Sequence, residues 1–184
     1  MYDSQCIKYR IDSEDRIVSV EGIWDDFASS NQAGDLTRDK VVNRSLFDFI
    51  TGMSARHVTE ELLHGVRSRG RAVNIPFRCD SPALRRFMQM LITPLEDGGI
   101  EINSCIVREE PRDAITLLDR DTDRSNQFVT ICSWCKDVEI SDNKWLPVED
   151  AIRVLDFFAD KKQPQLTHGM CPSCHQAMLD KLKN

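Results

Sequence analysis

Two C-x-x-C pairs constrain this chain more than any other feature: Cys132-Ser133-Trp134-Cys135 and Cys171-Pro172-Ser173-Cys174. Each pair sets two thiols on one tight turn, and two such turns can close a tetrahedron of soft ligands around a single cation. Zinc suits both that geometry and that softness. With all four positions taken by sulfur, none is left open for substrate, so the spacing predicts a structural metal held by Cys132, Cys135, Cys171 and Cys174. The intervening stretch is long enough to fold back, and the site then pins the ends of a small module together. A module of fewer than ~60 residues has a marginal core, for which a metal staple is a common remedy.

Other chemistry is open to the same residues. C-x-x-C spacing tunes thiol pKa, so a thiol redox sensor, in which oxidation of the pairs releases the metal, is the second reading. Cys171 to His175 also matches the C-x-x-C-H haem-attachment pattern, but that reading leaves Cys132 and Cys135 without a role. His168 stands three residues before Cys171, close enough to replace a ligand or to hydrogen-bond a sulfur, and the supporting role is the expected one.

The remaining cysteines, Cys6, Cys79 and Cys105, stand alone by spacing. The first residues, Met1 to Cys6, lack the basic and apolar blocks of a secretory signal. No apolar run has the length of a membrane span. A cytoplasmic protein with no membrane partner is therefore expected, with thiols or metal ligands rather than a disulfide framework. A net charge of -6 argues against broad nucleic-acid binding.

The chain divides by pattern into residues 1–111, a linker over 112–127, and the cysteine-rich module over 128–184. In the first part, strands are expected over 8–11 and 16–20, a helix over 23–30, and a capped apolar turn at Ser45-Leu46-Phe47-Asp48-Phe49-Ile50. The clearest helix covers 54–69, where Ala55, Val58, Leu62 and Val66 form one apolar stripe and Gly70 supplies the C-cap. Strands follow over 72–79, 86–94 and 100–108, the last two joined by the hairpin turn Asp97-Gly98-Gly99. The expected fold class is α+β: an antiparallel sheet with flanking helices, then a small zinc-stapled helical module. In that module a strand at Val129-Thr130-Ile131 leads into Cys132. A helix follows with Ala151, Ile152, Val154, Leu155 and Phe158 on its apolar face, and a closing helix over 173–182 turns Ala177, Met178 and Leu182 inward.

The element order of the first part resembles the PAS domain, a small cytosolic sensor fold. Tyr9-Arg10-Ile11-Asp12 through Arg16-Ile17-Val18 is similar to the PAS opening hairpin, and Ser45 to Ile50 to the turn before its long helix. In the module, Cys132 to Cys135, then Trp145-Leu146-Pro147-Val148-Glu149, then Thr167-His168-Gly169-Met170-Cys171-Pro172-Ser173-Cys174 resembles a cysteine-rich extension found after sensory domains in bacterial signalling proteins. The resemblance implies small-molecule sensing or protein contact, with a signalling protein as partner or a homodimer formed through the sheet. A ligand would lie between helix and sheet, against Val58, Leu62, Val66, Met88, Met90 and Ile92. Some PAS domains hold haem through a helical histidine, but His57 and His64 lie on the face opposite the apolar stripe, so exposed histidines are expected.

No phosphate loop, dinucleotide fingerprint or kinase motif set is present, and no nucleophile–base pair stands out, so an enzyme is not expected. Arg78, Arg85, Arg86 and Arg108 lie in and beside the last three strands. They read as surface charge paired with Asp80, Glu101 and Glu109, or as a face for an anion or an acidic segment.

Overall fold

The computed structural model describes residues 5–155 and 162–183. The first part is a five-stranded antiparallel sheet in the order β2-β1-β5-β4-β3. Its strands are β1 (Cys6–Ile11), β2 (Ile17–Gly22), β3 (Val73–Arg78), β4 (Leu84–Pro94) and β5 (Ile100–Pro111). Alternation sends Ile100 and Ile102 of β5 and Ile92 of β4 inward, each 1% exposed or less. Three helices complete this part: α1 (Trp24–Ser30), α2 (Arg38–Val41) and α3 (Met53–Arg69).

Helix α3 covers the inner face because its sequence gives it one apolar stripe. Ala55, Val58, Leu62, Leu63 and Val66 are all buried, while His57 and His64 are exposed as expected. Gly70 ends the helix in the left-handed region, φ 62°, with its N–H bonded to Val66 and Arg67 carbonyls. Ser45 caps the turn at Leu46–Asp48 by accepting from Phe47 N.

The second part departs from the expected helical module. It is built on a four-stranded mixed sheet in the order β8-β7-β6-β9: β6 (Arg124–Cys132), β7 (Asp137–Ser141), β8 (Lys144–Pro147) and β9 (Gln163–Gly169). The two remaining helices among the described residues are α4 (Val148–Val154) and α5 (Pro172–Lys183). β6 and β9 pair in parallel, the other neighbours antiparallel. The β7–β8 hairpin turns at Asn143, φ 59°, a position where asparagine tolerates the left-handed conformation. Val138, Val148, Ala151, Ile131 and Val129 form a second apolar cluster, joined by Ile115 and Leu117 from the segment before β6. Val154 is 60% exposed rather than inward, because α4 ends there. Phe158, placed on the same face from sequence, lies outside the described residues.

Cys6 and Cys105 do not stand alone. They oppose each other in the β1–β5 register and form a disulfide. Their separation of 99 residues left no trace in the spacing. No helix among the described residues is long and apolar enough to cross a membrane.

Candidate metal centre

Parallel pairing of β6 with β9 is what brings the two cysteine pairs together. Parallel strands end on the same side of a sheet, and in this register Cys132 faces Gly169. From there the chain leaves β6 through the Cys132–Cys135 turn, while β9 runs through Met170 into Cys171 and helix α5. The first turn is closed by Lys136 N donating to Cys132 O at 3.1 Å, with Lys136 at φ 65°. It is tied to the second strand by Ser133 N donating to Gly169 O at 3.0 Å.

The four sulfurs lie within 4.8 Å of one another. Cys135 Sγ and Cys171 Sγ are 3.6 Å apart, close to the ~3.8 Å edge of a tetrahedron with zinc–sulfur bonds of ~2.3 Å. Backbone N–H groups turn toward the sulfurs: Cys171 N to Cys132 Sγ at 3.4 Å and Cys174 N to Cys171 Sγ at 3.5 Å. Cys132 and Cys171 are buried, Cys135 and Cys174 half-buried. Hydrogen bonds from Cys135 and Cys174 push the Cys132 thiol far below its ordinary range. The hydrogen bond with Cys132 and burial push the Cys135 and Cys174 thiols above theirs. Soft donors, their number and their separation all fit a tetrahedral metal ion. His168 is not among the group. Its Nδ1 lies 3.4 Å from Thr51 Oγ1, and burial, with the nearby Lys136 charge, lowers its pKa.

The centre is seated against the first part. Arg78 N, at the end of β3, donates to Trp134 O at 2.7 Å. Trp134 and Met170 pack on the first apolar cluster, and Met178 of α5 is buried within it. Gly52, at φ 87°, lies so close to β9 that an added Cβ would meet His168 O at 2.2 Å, so this approach requires glycine.

A second tie is ionic. Glu149 of α4 accepts from Arg85 at 2.6 Å, Arg112 at 2.6 Å and Arg78 at 3.4 Å. Asp80, whose side chain is fully buried, takes Arg78 and, at 3.0 Å, Arg112. Burial would raise the Glu149 carboxyl, but the Arg85 and Arg112 hydrogen bonds and the Arg78 charge hold it down to about 2. The acidic segment facing these arginines is therefore the chain's own α4. Arg86 pairs with Glu109 at 2.8 Å and with Asn31. Arg108 pairs with Glu110 and lies over the Phe87 ring. Arg112 and Glu149 had no periodic or spacing signal to mark them.

Of the residues proposed from sequence to line a ligand site, Val58, Leu62, Val66 and Ile92 belong to the first apolar cluster, and Met90 packs against it. Met88 is 3% exposed. Met90 also borders a cleft of about 310 Å³ between α3, the sheet and the cysteine turn, shared with Phe49, Ala55, Phe77, Trp134 and His168. Sequence gave no hint of that company, since Trp134 and His168 come from the second part.

No family model matches the chain, and no curated protein matches it. Among solved structures, it is similar to a domain of an HTR-like protein from Haloarcula marismortui, with a TM-score of 0.39 and 15% identity over 56% of this chain and 98% of that one. It is also similar to the photoactive yellow protein domain from the sensor histidine kinase Ppr of Rhodospirillum centenum, with a TM-score of 0.40 and 14% identity over 56% of this chain and 94% of that one.

Proposed function

We propose that the protein is a non-enzymatic, cytoplasmic signalling or regulatory protein in which a PAS-like sensing or interaction domain is coupled to a structural zinc site. The observation that carries this reading is the convergence of Cys132, Cys135, Cys171 and Cys174 at a place where the cysteine turn also touches the first sheet. A metal there holds Trp134 against the first apolar cluster, so a change in that cluster or in its neighbouring cleft reaches the second part directly. Output passes to a signalling partner or a second copy through the open sheet face, where Leu91 is 42% exposed. In a reducing compartment the Cys6–Cys105 pair would rest as thiols.

Elemental analysis of the purified protein tests the metal. One zinc per chain is expected, and Cys171→Ser is expected to lose it. Absence of stoichiometric metal from protein prepared under reducing conditions refutes the reading. The redox alternative is favoured by the 3.6 Å approach of Cys135 and Cys171 across the two pairs. It predicts peroxide-dependent metal release that a thiol reductant reverses.

A further inference from the structure

The seam between the two parts holds a larger cleft than the one beside α3. Its volume is about 650 Å³, and its walls include Leu118, Ile131 and Leu166 together with Arg120, Arg124 and Lys136. That volume suits a small organic ligand.

The charges on these walls are unusual for this molecule. The chain carries 30 acidic against 24 basic residues, and its sheltered arginines are neutralised. Arg67, Arg78, Arg85, Arg86 and Arg112 each meet a carboxylate. Arg124 is the exception among the described arginines that are not exposed. Its guanidinium donates to three backbone carbonyls, Pro164 O at 2.8 Å, Leu117 O at 3.1 Å and Asp119 O at 2.6 Å. The Asp119 carboxylate is taken up by Gln32 and by Asp121 N. Burial accordingly lowers the Arg124 pKa, with Asp119 opposing. Lys136 donates to Ser133 O at 2.8 Å and forms no ion pair among the described residues. Arg120 reaches Asp35 only at 3.8 Å, in solvent. Asp80, the acid on these walls, is already held by Arg78 and Arg112.

A guanidinium has five N–H donors, so three carbonyls fix Arg124 in place and leave donors over. A sheltered cation that makes no direct ion pair is costly, and an anion that reaches it recovers part of that cost. We propose that this seam cleft binds a small organic acid, with its anionic group at Arg124 and Lys136 and its apolar body against Leu118, Ile131 and Leu166. The apolar wall is what separates this ligand class from bare inorganic anions. The cleft takes residues of both parts, Asp80 among those from the first, and His168 borders both it and the cleft under α3.

The test uses the full, metal-loaded chain and the fluorescent probe 8-anilinonaphthalene-1-sulfonate, with 4-phenylbutyrate and inorganic phosphate as competitors. Saturable binding is expected, displaced by phenylbutyrate at concentrations where phosphate has no effect, and weakened by added salt. Arg124→Gln is expected to weaken the probe about tenfold or more, and Lys136→Gln severalfold. Lys144→Gln, on the exposed β8, is expected to leave it unchanged. Metal content and circular dichroism are measured for each variant. If Arg124→Gln does not fold, the Arg120→Gln/Lys136→Gln double variant takes its place with the same expectation. Absent saturable binding, or an affinity that the folded charge variants leave unchanged, overturns the proposal. Equal competition by phosphate overturns the organic-acid assignment.

Discussion

The two apolar clusters of this chain are held by different means. The first is enclosed between a five-stranded sheet and α3, and its interior is almost wholly aliphatic. The second is smaller, sits on a sheet with strands as short as Lys144–Pro147, and borders the four-cysteine group. Its remaining ties run outward to the first part, through Trp134, Met178 and Glu149. A large apolar interior can sustain a fold by burial alone, whereas a small one depends on cross-links and docking. The two parts should therefore answer differently to the same insult.

Metal removal should separate them most sharply. With a strong chelator, or in Cys171→Ser, the second part loses a contribution of about 10 kcal/mol or more if it behaves like small structural zinc sites. Amide exchange in β6, β7, β9 and α5 is expected to accelerate by orders of magnitude. Exchange in β1, β4 and β5 should remain slow, with β3 intermediate because Arg78 bonds the cysteine turn. Equal loss of protection across both sheets would break the comparison and make the molecule one cooperative unit.

The converse insult is Leu62→Ala, which empties a site 2% exposed at the centre of α3. Such truncations cost roughly 2–5 kcal/mol. The unfolding free energy of the first part is expected to fall by that amount, with a corresponding drop in its denaturation midpoint, while the metal content stays that of the wild type. Loss of zinc in a Leu62→Ala protein that retains its secondary structure would show that the second part cannot stand without the first core at full strength.

The sequence was informative where structure is local and opaque where it is not. The strands of the first sheet follow from alternation, α3 from its stripe, and its end from Gly70. The four-cysteine group follows from two turns that each carry their own signature. The second sheet was missed because nothing local marks a parallel pairing: β6 and β9 recognise each other across an interval that contains a hairpin and a helix. Val138 and Ile140 alternate beside Asn143, a hairpin signal too short to outweigh the neighbouring helical pattern. The Cys6–Cys105 pairing depends on register between strands at opposite ends of the first part. Glu149 entered the sequence reading only as the last residue of the Trp145–Glu149 stretch, and the placement of α4 beside Arg78, Arg85 and Arg112 gives it three cations.

That last group supplies the finest test of how the two parts are joined. Glu149 is ionised with a pKa near 2 against an ordinary 4.5, and its side chain is 20% exposed. A carboxyl whose pKa is lower in the folded state stabilises that state above its unfolded pKa, and the benefit is lost as pH falls through the interval below it. The seam should hence weaken between about pH 4.5 and 2, as Glu149 takes up a proton and Arg85, Arg112 and Arg78 lose their shared partner. Glu149→Gln places the molecule in that state at neutral pH, at a cost of roughly 1–3 kcal/mol once solvent screening is allowed for. Above pH 5 the wild type is expected to be the more stable by that margin, and the two unfolding curves should converge on acidification. Asp80 keeps Arg78 and Arg112 paired in both proteins, so the first sheet should be unaffected. A constant difference down to pH 2 would mean that Glu149 acts through packing rather than charge, and the second part would then be held to the first by apolar contact and metal alone.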